Sequence, residues 1–271
     1  MKKPIRFAIA PLLAIIIGCS GEPSSENSTV ARSDVGQPAT SQADRSVWSL
    51  GNSHSSVGDP FGQLRRLIEA EPDRPTVEMQ SFSGPFLDSF APRVDAWSES
   101  TSSLPEVVVL QGQKISMSGQ FDHPRDTAVD LTIAFAGRGA RVLLFAEWAR
   151  HDVDGERERI ETIYRQIRDE AIERRPELAE RIDVVPIGRV WERVLATHPD
   201  VRLHDADGNH SNRIGAAVTA VTLHAWLFDH EPSALPIGLT DDPFSRDLRR
   251  MALETCREVR FESAVDGRSD R

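Results

Sequence analysis

Three residues of this chain are spaced to do acyl-transfer chemistry: Ser53 in Gly51-Asn52-Ser53-His54-Ser55, and Asp207 and His210 in Asp205-Ala206-Asp207-Gly208-Asn209-His210. A serine hydroxyl becomes a nucleophile when a base takes its proton and a third group holds that base in the right tautomer. Asp207 precedes His210 by three positions, so one turn can bring a carboxylate oxygen to a ring nitrogen. The block that holds Ser53 directly follows an apolar run, Val47-Trp48-Ser49-Leu50, so a strand can present the serine at a sheet edge. Read this way, the chemistry is hydrolysis through a covalent acyl intermediate.

Other roles for the same residues have to be weighed. Ser53 also suits a turn or a helix cap. His204, Asp205, Asp207 and His210 form a His/carboxylate cluster that could ligate a metal. Against that, Gly208 and Asn209 suit a tight turn and no second cluster accompanies them. His54, next to the nucleophile, fits a pocket wall better than a base. Glu147 and Trp148 follow a strand and could line the site or belong to the core. Asp122-His123 and His151-Asp152 read as loop and cap residues, and Asp154 to Arg175 as a solvated helix face.

The positioning elements alternate between strand and helix. Strands are expected at Val47–Leu50, Thr76–Gln80, Glu106–Gln111, Arg141–Ala146 and Ile182–Ile187. The Val107–Leu110 run is apolar on both faces, as a central parallel strand requires. Helices are expected at Gln63–Ala70, Asp126–Ala136, Glu156–Glu180 and Arg213–Phe228, with Ser211 and Asn212 as capping candidates for the last. A further helix over Asp242–Val259 is expected, without a clear place on the domain. Five strands separated by helices predict a doubly wound parallel sheet. Its site should lie at the carboxyl ends of the strands, where both Ser53 and the 205–210 loop belong.

The Gly-x-Ser-x-Gly elbow of the α/β-hydrolases is absent, since position 55 is Ser. Over roughly residues 46–232 the chain instead resembles the SGNH (GDSL-like) hydrolase superfamily. The resemblance rests on Gly51-Asn52-Ser53-His54 after the first strand and on Asp207-Gly208-Asn209-His210 before a glycine-containing helix. Val184-Val185-Pro186-Ile187-Gly188-Arg189-Val190-Trp191 also looks like the strand and turn that precede the latter block. It implies a flavodoxin-like three-layer α/β/α sandwich with a central five-stranded parallel sheet, and ester hydrolysis without a metal or organic cofactor. By the same resemblance the oxyanion hole takes the Ser53 amide, a glycine amide, best matched by Gly84, and a side-chain amide. The family's asparagine is missing from Leu110-Gln111-Gly112-Gln113-Lys114. The resemblance therefore implies Gln113, further past the strand end, with Gln111 as the alternative. That departure keeps open an inactive, carbohydrate-binding relative.

The N-terminus gives the expected location. Lys2, Lys3 and Arg6 form a basic region, and Phe7 to Ile17 is apolar but too short to span a bilayer. Ile16-Ile17-Gly18-Cys19 resembles a bacterial lipobox. Residues 1–18 are then a signal peptide, Cys19 carries the lipid, and residues 19–44, rich in Ser, Gly, Pro and charged side chains, form a disordered tether. Residues 45–271 are then the SGNH-hydrolase-like domain. Ser20 rather than an aspartate follows the cysteine, which the resemblance to Gram-negative lipoproteins links to the outer membrane, facing periplasm or exterior.

The formal net charge of −10 makes the chain a poor partner for nucleic acid or anionic lipid. The expected partners are a small-molecule or glycan ester and, through the anchor, a membrane. With Cys19 lipidated, Cys256 has no partner for an intrachain disulfide and is expected to be a buried free thiol.

Overall fold

The computed structural model describes residues 45–73, 76–99, 104–113 and 124–269. The expected signal peptide, Cys19, the expected tether and Asp122-His123 lie outside the described residues. Five strands form one all-parallel sheet: β1 (Arg45–Gly51), β2 (Val77–Ser83), β3 (Val107–Leu110), β4 (Arg141–Phe145) and β5 (Ile182–Val185). Their order, β2-β1-β3-β4-β5, is the flavodoxin-like doubly wound arrangement. It reverses direction between β1 and β3, and that switch point is where such sheets place their sites.

Alternation along the strands divides the core in two. Val107 and Val109 face one side, with Leu143, Phe145 and Val185. Covering them are α2 (Pro60–Glu69), α6 (Ile187–Thr197), α7 (Arg213–Phe228) and α8 (Pro243–Ser269). Val108 and Leu110 face the other side with Val142 and Leu144, under α4 (Asp126–Gly137) and α5 (Glu156–Arg174). The three-layer sandwich is thus the expected one. Helix α7 packs between α2 and α8 and buries every residue from Gly215 to Trp226. The C-terminal segment, unplaced from sequence, is therefore the outer cover of the α7 side. Cys256 on α8 is buried beneath it, its thiol pushed up to about 12 by burial.

Several sequence expectations change. The helix expected over Glu156–Glu180 stops at Arg174, because Pro176 cannot continue it, and a 3-10 turn (Pro176–Arg181) follows. The strand expected to reach Ile187 stops at Val185, and Pro186 instead begins α6. Helix α3 (Ala91–Glu99) and the four-residue helix α1 (Ser53–Ser56) were not expected.

Candidate active site

Ser53 is the first residue of α1, immediately past the end of β1. Asn52 caps that helix: its side-chain oxygen accepts from the His54 amide at 3.0 Å. The turn needs a glycine at position 51. A Cβ there would lie 2.4 Å from Ser55 Oγ and 2.6 Å from Gln111 Oε1. As N1 of a helix, the Ser53 amide has no intrahelical acceptor and stays available to an anion.

The partner loop is built around α7. Asn212 caps that helix through Ile214 N (2.8 Å) and Gly215 N (3.0 Å), and its Nδ2 donates to Arg202 O (2.8 Å) and His204 O (3.2 Å). His204 and Ser211 close the loop as an antiparallel bridge, with Asp205 N donating to His210 O at 2.7 Å. Gly208 takes a positive φ of 70° at the tip. Trp148 Nε1 donates to Asn209 O at 2.9 Å, and Ser211 Oγ donates to Val57 O at 2.9 Å. The last bond fixes the loop directly to the segment that carries the serine.

This framework brings the three residues together. His210 Nε2 lies 2.7 Å from Ser53 Oγ, and His210 Nδ1 lies 2.5 Å from Asp207 Oδ2. Asp207 Oδ1 accepts from the amides of Asn209 (2.9 Å) and His210 (3.0 Å). The hydrogen bond from His210, helped by those two amides, holds the Asp207 carboxyl well below the usual carboxylate range. Asp207 therefore stays ionised and fixes the proton on Nδ1, leaving Nε2 free to accept from serine. Ser53 and Asp207 are exposed and His210 is half-buried, so the site is open to solvent.

The metal-site alternative does not gather. His204 Nε2 is bonded to Ala149 O at 2.8 Å, and the Asp205 carboxylate accepts from Ala206 N at 2.8 Å. His151 belongs to the loop support, its amide donating to Gly208 O at 2.8 Å.

Three of the expected oxyanion donors already hold protein acceptors. Strand β2 runs three residues beyond the expected Gln80, in register with β1 up to Gly51↔Ser83. The Gly84 amide continues that ladder and is given to Gly51 O at 2.9 Å. Gln113, buried, gives its side-chain amide to Pro124 O at 3.2 Å. Gln111, also buried, gives its amide to Glu147 Oε2 at 2.6 Å, while its Oε1 accepts from Asn52 N at 2.9 Å. Gln111 thus props the serine turn from below. Of the four expected donors, the Ser53 amide is the one for which no protein acceptor is described; each glutamine amide has a second N–H beside the one engaged.

A second imidazole stands beside the first. His54 Nδ1 lies 2.9 Å from Glu147 Oε2, the same oxygen that holds Gln111. Its ring stacks on Trp148 at 5.2 Å and meets His210 edge-on at 5.3 Å and 89°. Trp148 in turn stacks on Trp191 at 4.2 Å. Burial opposes charge on His54, but attraction to and hydrogen bonding with Glu147 outweigh it, and its pKa is raised. Behind this layer the Tyr164 hydroxyl accepts from Gly112 N (3.0 Å) and Gln113 N (3.2 Å). Burial, then the Glu147 charge, pushes that phenol far up. The Glu147–His54 pair spans 93 positions, and only the adjacency of Glu147 to a strand end pointed to it in the sequence.

No protein-family model matches the chain, and no curated protein matches its sequence. Solved structures do match its fold. A DUF4886 family protein from Bacteroides uniformis superposes with a TM-score of 0.51 at 16% identity, over 80% of this chain and 95% of that one. The chain shares that protein's fold. Esterase EstA from Pseudoalteromonas sp. matches at a TM-score of 0.46 and 16% identity, over 65% of this chain and 93% of its own. A family 3 carbohydrate esterase from Clostridium thermocellum matches at 0.45 and 12%, over 65% and 91%.

Proposed function

We propose that this chain is a serine esterase that hydrolyses short acyl esters through an acyl-enzyme. The observation that carries the reading is the continuous Ser53–His210–Asp207 hydrogen-bond chain at 2.7 and 2.5 Å. Ser53 Oγ attacks the ester carbonyl carbon while its proton passes to His210 Nε2, and Asp207 stabilises the imidazolium. The Ser53 amide receives the oxyanion, a contribution on the order of 3 kcal/mol. Collapse of the tetrahedral intermediate breaks the C–O bond, and the departing alcohol takes the proton from His210. Water then repeats the sequence, releasing the acid and restoring the serine.

The open site suits a small acyl group on a bulky alcohol that stays in solvent. We place acetylated carbohydrate first among substrates, and an envelope lipoprotein anchored through Cys19 as the setting. Cys19→Ser should release the chain from the membrane fraction of a diderm host. A membrane fraction unchanged by Cys19→Ser would refute the anchor.

A second reading, a non-catalytic carbohydrate-binding protein, draws support from one observation. The Gly84, Gln111 and Gln113 amides are all engaged with protein acceptors. A fluorophosphonate probe separates the two. The esterase reading expects labelling of wild type and none of Ser53→Ala, with hydrolysis of p-nitrophenyl acetate lower by at least about 10³-fold in the variant. Unlabelled, folded wild-type protein would establish the binding reading. Release of acetate from acetylated xylan, compared with p-nitrophenyl esters of rising chain length, tests the substrate class.

A further inference from the structure

The opposite edge of the sheet carries a second group of histidines and a carboxylate. Glu71 follows α2, His224 lies in the last turn of α7, and His230 lies just beyond that helix. Glu71 and His224 are buried, and His230 is exposed. Their ligand atoms all lie within 4.8 Å of one another. His224 Nε2 is 2.8 Å from Glu71 Oε1, and His230 Nε2 is 3.6 Å from Glu71 Oε2. Zinc bonds of about 2 Å in a tetrahedral site put neighbouring ligand atoms about 3.3 Å apart. In such a site two histidine rings sit with centroids about 5 Å apart. Here the two centroids are 5.4 Å apart with planes at 75°.

Two hydrogen-bonding features point to a cation rather than to a self-sufficient polar cluster. His230 Nδ1 donates to Glu231 O at 2.8 Å. In the neutral ring this puts the lone pair on Nε2 and turns it toward a carboxylate oxygen, an opposition that a cation between them would relieve. A backbone carbonyl on the far nitrogen is also how metal-binding histidines are oriented. His224, wholly buried, has no partner for Nδ1. When the ring donates from Nε2 to Glu71, Nδ1 is an orphaned acceptor. When Nε2 instead ligates a metal, the proton sits on Nδ1 and the lone pair is no longer orphaned.

We propose that Glu71, His224 and His230 form a binding site for a divalent transition metal of the zinc class, with its fourth position open to solvent. Access is through a cleft of about 980 Å³ lined by Arg45, Glu71, Asp73, Glu106, Phe228 and His230. Arg45 is neutralised by Glu106 at 2.5 Å, so Glu71 and Asp73 leave the cleft attractive to cations. The site lies at the amino end of β1, whereas Ser53 lies past its carboxyl end, so the metal takes no part in the triad chemistry. Its effect is to clamp the ends of α2 and α7 and the segment reaching Ser233, whose hydroxyl already donates to Glu71 at 3.3 Å.

The test is zinc titration of the full chain, followed by equilibrium dialysis with elemental analysis and by thermal unfolding. Wild type should retain one more zinc per chain than His230→Ala, and its Tm should rise by at least about 5 °C at saturating zinc. His230 is exposed, so its alanine variant should fold, as circular dichroism would check. It should bind zinc at least about 100-fold more weakly. His210→Ala should keep the wild-type zinc affinity and Tm rise. The proposal is overturned if wild type takes up no zinc, if His230→Ala takes up as much, or if His210→Ala is the variant that loses it.

Discussion

Two histidines flank Ser53, each with a carboxylate on Nδ1, and they differ in everything else. The Asp207–His210 pair is at the surface, and its free nitrogen meets the serine hydroxyl at 2.7 Å. The Glu147–His54 pair is largely buried, stacked against Trp148, and its carboxylate also holds Gln111. The same two functional groups therefore serve two ends. Where the second nitrogen reaches a nucleophile, the pair can move a proton. Where the ring is clamped on an indole, the pair holds the turn that carries the nucleophile.

The widest separation between the pairs should appear in turnover. His210→Ala should lower kcat by at least about 10³-fold, because the serine loses its base. His54→Ala should cost about tenfold or less, through a looser serine turn. Steady-state kinetics on p-nitrophenyl acetate measures both, and the reverse ranking would exchange the roles assigned to the two rings. Asp207→Asn should follow His210→Ala closely, since an amide permits the wrong tautomer.

Stability should reverse the order. Glu147→Ala leaves the half-buried His54 and the buried Gln111 without their shared acceptor, at a cost of about 2 kcal/mol. Chemical denaturation would show this, while Asp207→Asn should leave the unfolding midpoint nearly unmoved. A large loss in the Asp207 variant would break the distinction.

The Glu147–His54 pair should also give stability its own pH dependence. The pKa of His54 is raised in the fold, so its pairing with Glu147 stabilises fully below the ordinary histidine value of 6.5 and is lost as pH rises through the raised value. Tm measured from pH 6 to 9 should show a decline on the alkaline side that His54→Gln abolishes. An unchanged decline would assign it to another group.

The smallest effect expected is that of Gln113→Ala, less than about tenfold in kcat, because its amide is already given to Pro124. A loss of 10² or more would return Gln113 to the oxyanion hole.

Much of this was legible in the sequence, for local reasons. Val107–Leu110 reads as a central strand because it is apolar on both faces, and Asp207 reads with His210 because one turn joins them. Other features depended on lengths and distances that no local pattern encodes. The fate of the Gly84 amide turns on whether β2 ends at Gln80 or Ser83. Helix α3 opens on Ala91-Pro92 after a 3-10 turn and shows a weak periodic signal. Val-Val-Pro-Ile hides the start of α6, since its strand and helix residues are equally apolar. The Glu147–His54 and Glu71–His224 pairs join residues 93 and 153 positions apart.

The stack of Trp148 on Trp191, closed at 4.2 Å and 7° with the His54 ring on its outer side, has an optical consequence. Two indoles so close and nearly parallel couple their electronic transitions, which gives a near-ultraviolet circular dichroism band. A protonated imidazole against an indole quenches its emission. The protein thus carries its own spectroscopic reporter a few ångströms from Ser53. Titrating emission against pH would follow the protonation of His54 in the resting protein, without label or substrate.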